Sequence, residues 1–197
     1  MSILIISASK FEAQPTIDKL TKHSVQVDYM DCGIGPLNAS RSVADLKLAA
    51  KGRHVFYLGS AGTFGNFPSP FLCTTDEIHW MPTGERMGHA KFMETLHPPH
   101  ALKLPNPLNL PVVSILSSTS VSFSGNIALP HLPAPEKLVE NMEAYCIAQD
   151  LYEVAGSFEI VMGITNQVGP QGSAQWSENF KNVAEMTANY MEKRICL

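Results

Sequence analysis

Charged side chains are scarce in this sequence, and neither sign dominates. Lys, Arg, Asp and Glu make up 16% of the 197 residues and leave a formal net charge of −4. Without a basic excess, the chain has no electrostatic attraction for nucleic acid or for an anionic membrane surface. No apolar run reaches the roughly eighteen residues that are needed to span a bilayer. The expected partner is therefore a small molecule, with neither nucleic acid nor a membrane involved.

Cysteine is also sparse, and its spacing argues against two common kinds of site. The four cysteines lie far apart without a Cys-x-x-Cys pair, so neither a zinc site nor a thioredoxin-type motif is indicated. They are Cys32, Cys73, Cys146 and Cys196, which we expect to be reduced thiols. The sequence also lacks a Gly-x-x-x-x-Gly-Lys loop and a metal-ligand quartet, so no metal and no other cofactor is expected.

The amino-terminal segment MSILIISASKFEA has a short apolar core and no basic leader. This pattern predicts a first strand rather than a signal peptide, and it favours a cytoplasmic location. With 45% hydrophobic residues the chain can bury a full core. We therefore expect residues 1–197 to form a single domain.

Predicted strands and helices alternate in the first third of the chain. Strands are predicted over 2–8, 25–31 and 54–62, and helices over 11–22 and 36–50. This βαβαβ order predicts an α/β fold with a parallel sheet covered by helices.

The rest of the chain is less regular. Later strands are predicted over 71–74, 78–81, 111–118 and 158–166, and helices over 135–155 and 177–196. Residues 96–111 are rich in proline and have no period, which predicts a loop. The sequence suggests no role for the proline-rich segment 95–111.

The stretch from Phe158 to Trp176 is the most informative part of the chain. An apolar run stops at Asn166, and a Gly/Pro/Ser loop follows. Ligands in open α/β sheets lie beyond the carboxyl ends of such strands, so Asn166 is well placed to bind one. Its amide donates and accepts, which suits a purine edge, and Trp176 can cover an apolar ligand face. The alternative is that Asn166 caps the loop by bonding its own backbone.

Other polar positions fall near predicted strand ends or helix starts. Glu12 can serve as a general base that holds a water, or it can be a solvated glutamate favoured by the helix dipole. Glycines in the turn 58–65 let backbone amides approach a ligand, although such turns are common. Glu140 and Glu143 are one turn apart on the predicted helix. Glu143 falls on the apolar face, where a carboxylate needs a partner such as a sugar diol.

Five segments together resemble the purine nucleoside phosphorylase and nucleosidase superfamily. They are ILIISASKFEA, CGIGPLNAS, LGSAGTFG, NMEAY and ITNQVGPQGSAQW, in the order found in that superfamily. The chain is most similar to the futalosine hydrolases, nucleosidases of menaquinone biosynthesis, through an Asn-x-Val-Gly-Pro loop followed by Trp176. The methylthioadenosine and adenosylhomocysteine nucleosidases carry an Asp where this chain has Asn166. The resemblance implies a three-layer α/β fold whose central, mixed but mostly parallel sheet is flanked by helices.

The resemblance also implies roles for single residues. Glu12 matches the acid that orients and activates the attacking water. Asn166 matches the residue that reads the base, and Trp176 matches the aromatic side chain that closes over the ligand. The remaining matches lie beside the ribose and the purine: Ser60, Ala61, Gly62, Val121, Ser122, Met142 and Glu143. Relatives usually complete their pockets across a dimer contact, so a homodimer is implied.

Hydrolysis of a purine N-glycosidic bond is the reaction that the resemblance implies. Cleavage develops positive charge on the ribose, which the anions of Glu12 and Glu143 can stabilise. Asn166 can bond N7 and O6 of a 6-oxopurine together, so hypoxanthine released from futalosine is the expected product. No arginine lies in the glycine turns to clamp phosphate, which favours water as the nucleophile.

Alternatives to futalosine hydrolysis stay open. Gln171 and Gly172 stand where futalosine hydrolases are expected to carry a basic and an acidic residue, so contacts to the distal carboxylate of that substrate are expected to be absent. The other possible activities are those of a purine nucleoside phosphorylase and of a methylthioadenosine/adenosylhomocysteine nucleosidase. A different class is a nucleoside-binding protein with weak or no catalysis.

Overall fold

The apolar runs of the sequence form the strands of one mixed sheet. A computed structural model of the protein describes residues 2–82, 84, 101–105, 108–124 and 132–196. Within these ranges the strands are β1 Ile3–Ser7, β2 Val27–Asp31, β3 His54–Thr63, β4 Phe71–Trp80, β5 Ala101–Lys103, β6 Val112–Ser117, β7 Leu138–Glu140 and β8 Ser157–Gln167. The helices are α1 Lys10–Lys22, α2 Pro36–Ala50, α3 Ala144–Leu151 and α4 Gly172–Cys196, and a short 3₁₀ helix spans Pro135–Lys137.

Part of this sheet closes into a five-stranded barrel. β3 pairs with β7, β7 with β6, β6 with β4, β4 with β8, and β8 again with β3. β1 and β2 continue the sheet from β3, and β5 continues it from β4. The pairings β1–β2, β1–β3, β3–β8, β4–β6 and β6–β7 are parallel, so the mixed, mostly parallel α/β sheet that was expected is present. Closure into a barrel was not part of that expectation.

Helices cover the two faces of the sheet because successive strand residues point to opposite sides. Ile3 and Ile5 of β1 pack with Leu20 of α1 and Met191 of α4 in one buried cluster. Their neighbours Leu4 and Ile6 pack in a second cluster, together with apolar side chains of α2 and α3. A strand that is buried on both faces must be apolar throughout, which is why the strand segments appear as continuous hydrophobic runs.

The helix predicted over 135–155 is wrong in its first part. Residues 135–137 form the 3₁₀ helix, Leu138–Glu140 is strand β7, and the α-helix begins only at Ala144. β7 lies between β3 and β6, and both neighbours supply backbone hydrogen bonds to it. These partners are distant in sequence, so a local periodicity cannot reveal them.

Smaller corrections concern the middle and the end of the chain. The two short strands predicted over 71–74 and 78–81 are one continuous strand, β4. The predicted loop 96–111 contains strand β5, which pairs with β4, while its residues 96–100 and 106–107 lie outside the described ranges. α4 begins at Gly172 rather than at residue 177.

All four cysteines are free thiols, as expected. Burial raises the pKa of the Cys73 thiol to about 12 and keeps it protonated at neutral pH. In the described part of the chain, no helix is both long and apolar enough to cross a membrane.

Helix α4 packs tightly against the barrel at Gly163 of β8. A methyl group added there would overlap the side chain of Val183 on α4. We expect Gly163→Ala to lower the free energy of unfolding by about 1–3 kcal/mol, because the packed interface cannot admit the extra carbon. Urea unfolding of Gly163→Ala, Val183→Ala and the double variant measures the effect.

The double variant is the control for this contact. If the overlap with Val183 is the cause, its loss of stability is smaller than the sum of the two single losses. Strictly additive losses would show that Gly163 is required for a different reason.

Candidate functional site

A cavity of about 460 Å³ opens beside the carboxyl ends of β1, β3, β7 and β8. This is the edge of the sheet where the sequence predicts a ligand. The cavity is lined by every residue that was singled out as a site candidate: Glu12, Ser60, Ala61, Gly62, Val121, Ser122, Met142, Glu143, Asn166 and Trp176. The fold thus brings together residues from both ends of the chain.

Glu12 lies in the first turn of α1 but points into the cavity. Ser9 and Glu12 form a capping box at the start of that helix, in which the backbone N–H of Ser9 donates to Glu12 Oε2 at 3.3 Å. The backbone N–H and the hydroxyl of Ser60 both donate to Glu12 Oε1, at 2.9 and 2.8 Å. The carboxylate is therefore held by two elements and is not the freely solvated side chain of the alternative interpretation.

Burial raises the pKa of Glu12 from its ordinary 4.5 to about 7. The charge of Glu143 across the cavity raises the pKa further, and the hydrogen bonds from Ser60 and Ser9 oppose both effects. Glu12 is thus close to half ionised at neutral pH. A carboxylate tuned in this way can accept a proton from a bound water at physiological pH.

Glu143 is almost completely buried and lies just before α3. Its Oε1 accepts the backbone N–H of Gly35 at 2.7 Å, at the start of α2, where the helix dipole favours an anion. Burial raises the pKa of Glu143 as well. The sequence placed Glu143 on the apolar face of a helix. The structure instead places it in the turn between β7 and α3, facing the same cavity as Asn166.

Asn141 was missed in the sequence, although it connects the parts of the site. Its Oδ1 accepts the backbone N–H groups of Glu143 and Ala144, at 3.1 and 2.8 Å. Its Nδ2 donates to the backbone carbonyl of Ser60 at 3.0 Å. The side chain therefore fixes the turn that carries Glu143 against the strand that holds Glu12. An asparagine just before a helix is a common cap and was the available signal.

Asn166 lines the cavity and also makes the local bond of the loop-capping interpretation. Its Nδ2 donates to the carbonyl of Gln167 at 3.0 Å, and its Oδ1 accepts from the Thr165 hydroxyl at 2.8 Å. Each of these bonds uses one of the two donors or one of the two lone pairs of the amide. The second donor and the second lone pair can still meet a ligand.

Trp176 stands at the mouth of the cavity in the first turns of α4, not on the preceding loop. Its indole Nε1–H donates to Ser60 Oγ at 3.1 Å. Its ring stacks on Phe180 with 4.8 Å between ring centroids and 10° between planes. With 39% of its surface exposed, the indole borders both the cavity and solvent.

Glu140 is a further cavity residue whose part in the site was not foreseen. Its carboxylate accepts the Ser122 backbone N–H at 2.9 Å, and it is also bonded by the hydroxyls of Ser122 and Ser118. The segment that includes Val121 and Ser122 is thereby held against the end of β7. This contact forms the wall of the cavity that the resemblance assigns to the purine.

The charged side chains that line the cavity in the described ranges are all acidic. Three carboxylates line it, those of Glu12, Glu140 and Glu143. Among the described residues no Lys, Arg or His side chain lines it. The described ranges likewise contain no group of three or more His, Cys, Asp or Glu side chains arranged to hold a metal ion. The site is therefore suited to a group that carries or develops positive charge.

Solved structures of nucleosidases superpose on this fold. The futalosine hydrolase of Helicobacter pylori superposes with a TM-score of 0.74 at 13% identity, over 98% of this chain and 96% of that chain. The 5′-methylthioadenosine/S-adenosylhomocysteine nucleosidase of Neisseria meningitidis, in complex with methylthio-immucillin-A, gives 0.71 at 18% identity, over 98% and 99%. An Asp→Asn variant of the H. pylori nucleosidase, with 5′-methylthioadenosine in its active site, gives 0.74 at 14% identity, over 98% and 96%.

These structures confirm the resemblance at the level of the fold. No protein-family model matches the chain, and no curated protein matches its sequence.

The raised pKa of Glu12 links the stability of the protein to pH. The folded state binds this proton more tightly than the unfolded chain, so the stability associated with it is complete below pH 4.5 and is lost as pH rises through about 7. Glu12→Gln keeps an oxygen for the Ser60 donors and removes the buried charge. We expect the variant to be more stable than the parent by about 1–3 kcal/mol at pH 8, and the gain to vanish near pH 4.5.

Urea unfolding at the two pH values measures this difference. Glu178→Gln, an exposed position on α4, is the control and should change stability at neither pH. A Glu12→Gln variant that is less stable than the parent at pH 8 would contradict the conclusion that burial destabilises the ionised carboxylate of Glu12.

Proposed function

We propose that this protein is an N-glycosidase that hydrolyses a purine nucleoside, with futalosine as the first candidate substrate. The observation that carries the proposal is the pair of buried carboxylates, Glu12 and Glu143, facing one cavity in a nucleosidase fold. The products expected from futalosine are hypoxanthine and dehypoxanthine futalosine.

The two carboxylates suit the charge that develops on the sugar. In the proposed reaction, a water oxygen bonds to C1′ of the ribose while the C1′–N9 bond breaks. The water gives its proton to Glu12, and the base leaves with the bonding electron pair. Positive charge on the ribose at the transition state is stabilised by the anions that face it, with Glu143 accepting from the ribose hydroxyls beside Met142.

The cavity is better suited to hold water than phosphate as the nucleophile. A phosphate dianion would enter a space lined by three carboxylates, and the described lining offers no Lys, Arg or His to hold it. This argues against a purine nucleoside phosphorylase. Ser60, Ala61 and Gly62, which lie near the end of β3 and not in the predicted turn, would supply backbone groups along the proposed sugar and base positions instead.

Asn166 can bind a 6-oxopurine as the base. The bond to Gln167 uses one of the two amide donors, so Asn166 can donate to O6 or to N7 but, unlike the expectation from the sequence, not to both together. Its free lone pair can accept from the ring N1–H beside O6. An amide does not titrate, so the leaving base takes its proton from solvent water rather than from Asn166. The wall at Val121 and Ser122 would pack on the purine, and Trp176 would cover the ligand.

A homodimer in the cytoplasm belongs to the same proposal. Large apolar side chains at the rim of the cavity are exposed, among them Ile34 at 63% and Phe123 at 71%. A second copy that covers them would complete the pocket, as the resemblance implies.

The reaction is tested by incubating the protein with futalosine, inosine or methylthioadenosine and following the free base. We expect hypoxanthine from futalosine at a rate that does not depend on phosphate. Glu12→Gln should lower kcat by about 100-fold or more, since general-base catalysis commonly contributes this much. The matched variant Glu178→Gln should retain full activity.

Each other outcome selects a different function. Acceleration by phosphate would indicate a phosphorylase, and release of adenine from methylthioadenosine alone would indicate the adenine-specific branch. Binding of nucleosides without release of any base would indicate a binding protein, and Glu12→Gln would then bind as the parent does.

Asn166→Asp tests the proposed recognition of the base. A carboxylate accepts from the exocyclic amine of adenine but repels O6 of hypoxanthine. We expect the ratio of kcat/KM for adenine nucleosides over hypoxanthine nucleosides to rise by about 10-fold or more, as for one polar contact. An unchanged ratio would show that Asn166 does not read position 6.

A further inference from the structure

A chain of hydrogen bonds runs from the mouth of the cavity to Glu12, the proposed general base. The Trp176 indole N–H donates to Ser60 Oγ at 3.1 Å, and Ser60 Oγ donates to Glu12 Oε1 at 2.8 Å. The three groups belong to α4, β3 and α1. The bond network therefore connects the side chain at the entrance with the carboxylate inside.

The chain has a fixed direction because of the donors involved. An indole nitrogen can only donate, and a serine hydroxyl carries a single proton. When Trp176 donates to Ser60 Oγ, the hydroxyl proton is left to point at Glu12. Hydrogen bonds in such a chain polarise one another, so the indole strengthens the bond that Ser60 makes to the carboxylate.

The two oxygens of Glu12 are consequently different. Among the described residues, Oε1 accepts two short bonds from Ser60, whereas Oε2 accepts only the longer bond from the Ser9 backbone at 3.3 Å. Oε2 thus has the lone pair that remains free to take a proton from water.

We propose that Trp176 is a positioning residue for Glu12: through Ser60 it holds Oε1 and leaves Oε2 as the oxygen that receives the proton. This inference rests on the proposed function, and it adds a second task to the covering aromatic. Because the indole lies at the entrance, covering of the ligand and adjustment of Glu12 take place together.

The other titratable groups near Glu12 do not take over the effect of Trp176 and Ser60 on its carboxylate. The groups that interact with it come from β2 and the residue after it, from β3, and from the turn after β7: Tyr29, Cys32, Tyr57 and Glu143. Burial raises the pKa values of both tyrosines and of Cys32, so these three stay neutral in the range where Glu12 titrates. Glu143 is the one carboxyl among these four groups, and its charge raises the pKa of Glu12.

The pair Trp176→Phe and Ser60→Ala tests the proposal. Phenylalanine retains the stacking on Phe180 but has no N–H. We expect the acid limb of the pH profile of kcat/KM, where Glu12 loses its proton, to move upward by about 0.3 pH units in Trp176→Phe and by about 1 in Ser60→Ala. The double variant should match Ser60→Ala, because the indole acts only through the hydroxyl.

A readout that needs no activity separates this inference from the proposed function. The Glu12 carboxyl is titrated by ¹³C NMR in the labelled protein and assigned by its loss in Glu12→Gln. Trp80→Phe is the control, because the only other tryptophan packs beside Tyr145 and does not line the cavity.

The outcomes of the titration are distinct. An upward shift of the Glu12 pKa in Trp176→Phe that disappears in the Ser60→Ala background supports the proposed role of Trp176 through Ser60. This holds even if no substrate is hydrolysed. A Glu12 titration identical in Trp176→Phe and the parent overturns it, as does a shift that persists without Ser60. If no purine base is released from any of the nucleosides, the proposed function is overturned, but the inference about Trp176 is not.

Discussion

The site depends on the placement of β7, the short strand Leu138–Glu140, between β3 and β6. This strand closes the barrel, and its end carries Glu140, Asn141 and Glu143 to the cavity. Asn141 then links the turn to Ser60 and to the start of α3. Without the hydrogen bonds of Asn141, the turn that carries Glu143 would no longer be joined to β3, which holds Glu12. Closure of the barrel and assembly of the site therefore depend on the same short segment.

Burial of two carboxylates in one cavity is unfavourable for folding and useful for the proposed chemistry. Each carboxylate is only partly compensated by backbone and hydroxyl donors, from Ser60 to Glu12 and from Gly35 to Glu143. The remaining penalty appears as raised pKa values. A cationic transition state on the ribose would relieve that penalty. The site would therefore stabilise the transition state more than the bound substrate.

Much of the fold follows from local patterns. Both helices of the first third and the strands around them lie close to their predicted bounds. Apolar runs predict the strands, and Pro36 marks the start of α2, where a first-turn proline is favoured. β7 and β5 could not be found in this way. Each has only three residues, and their strand character comes from hydrogen bonds to distant neighbours.

The sequence by itself determined the α/β class and a buried strand over 158–166, which lies within β8. It also contained a set of polar residues that, through their resemblance to one superfamily, pointed to one site. Those features reside in local apolar periods and in motifs of adjacent residues. Only the tertiary structure decided that the barrel closes, that Asn141 and Glu140 support the cavity, and that Trp176 is bonded to Ser60. These features depend on hydrogen bonds between residues that are far apart in the chain, and such bonds leave no mark on the spacing of any one segment.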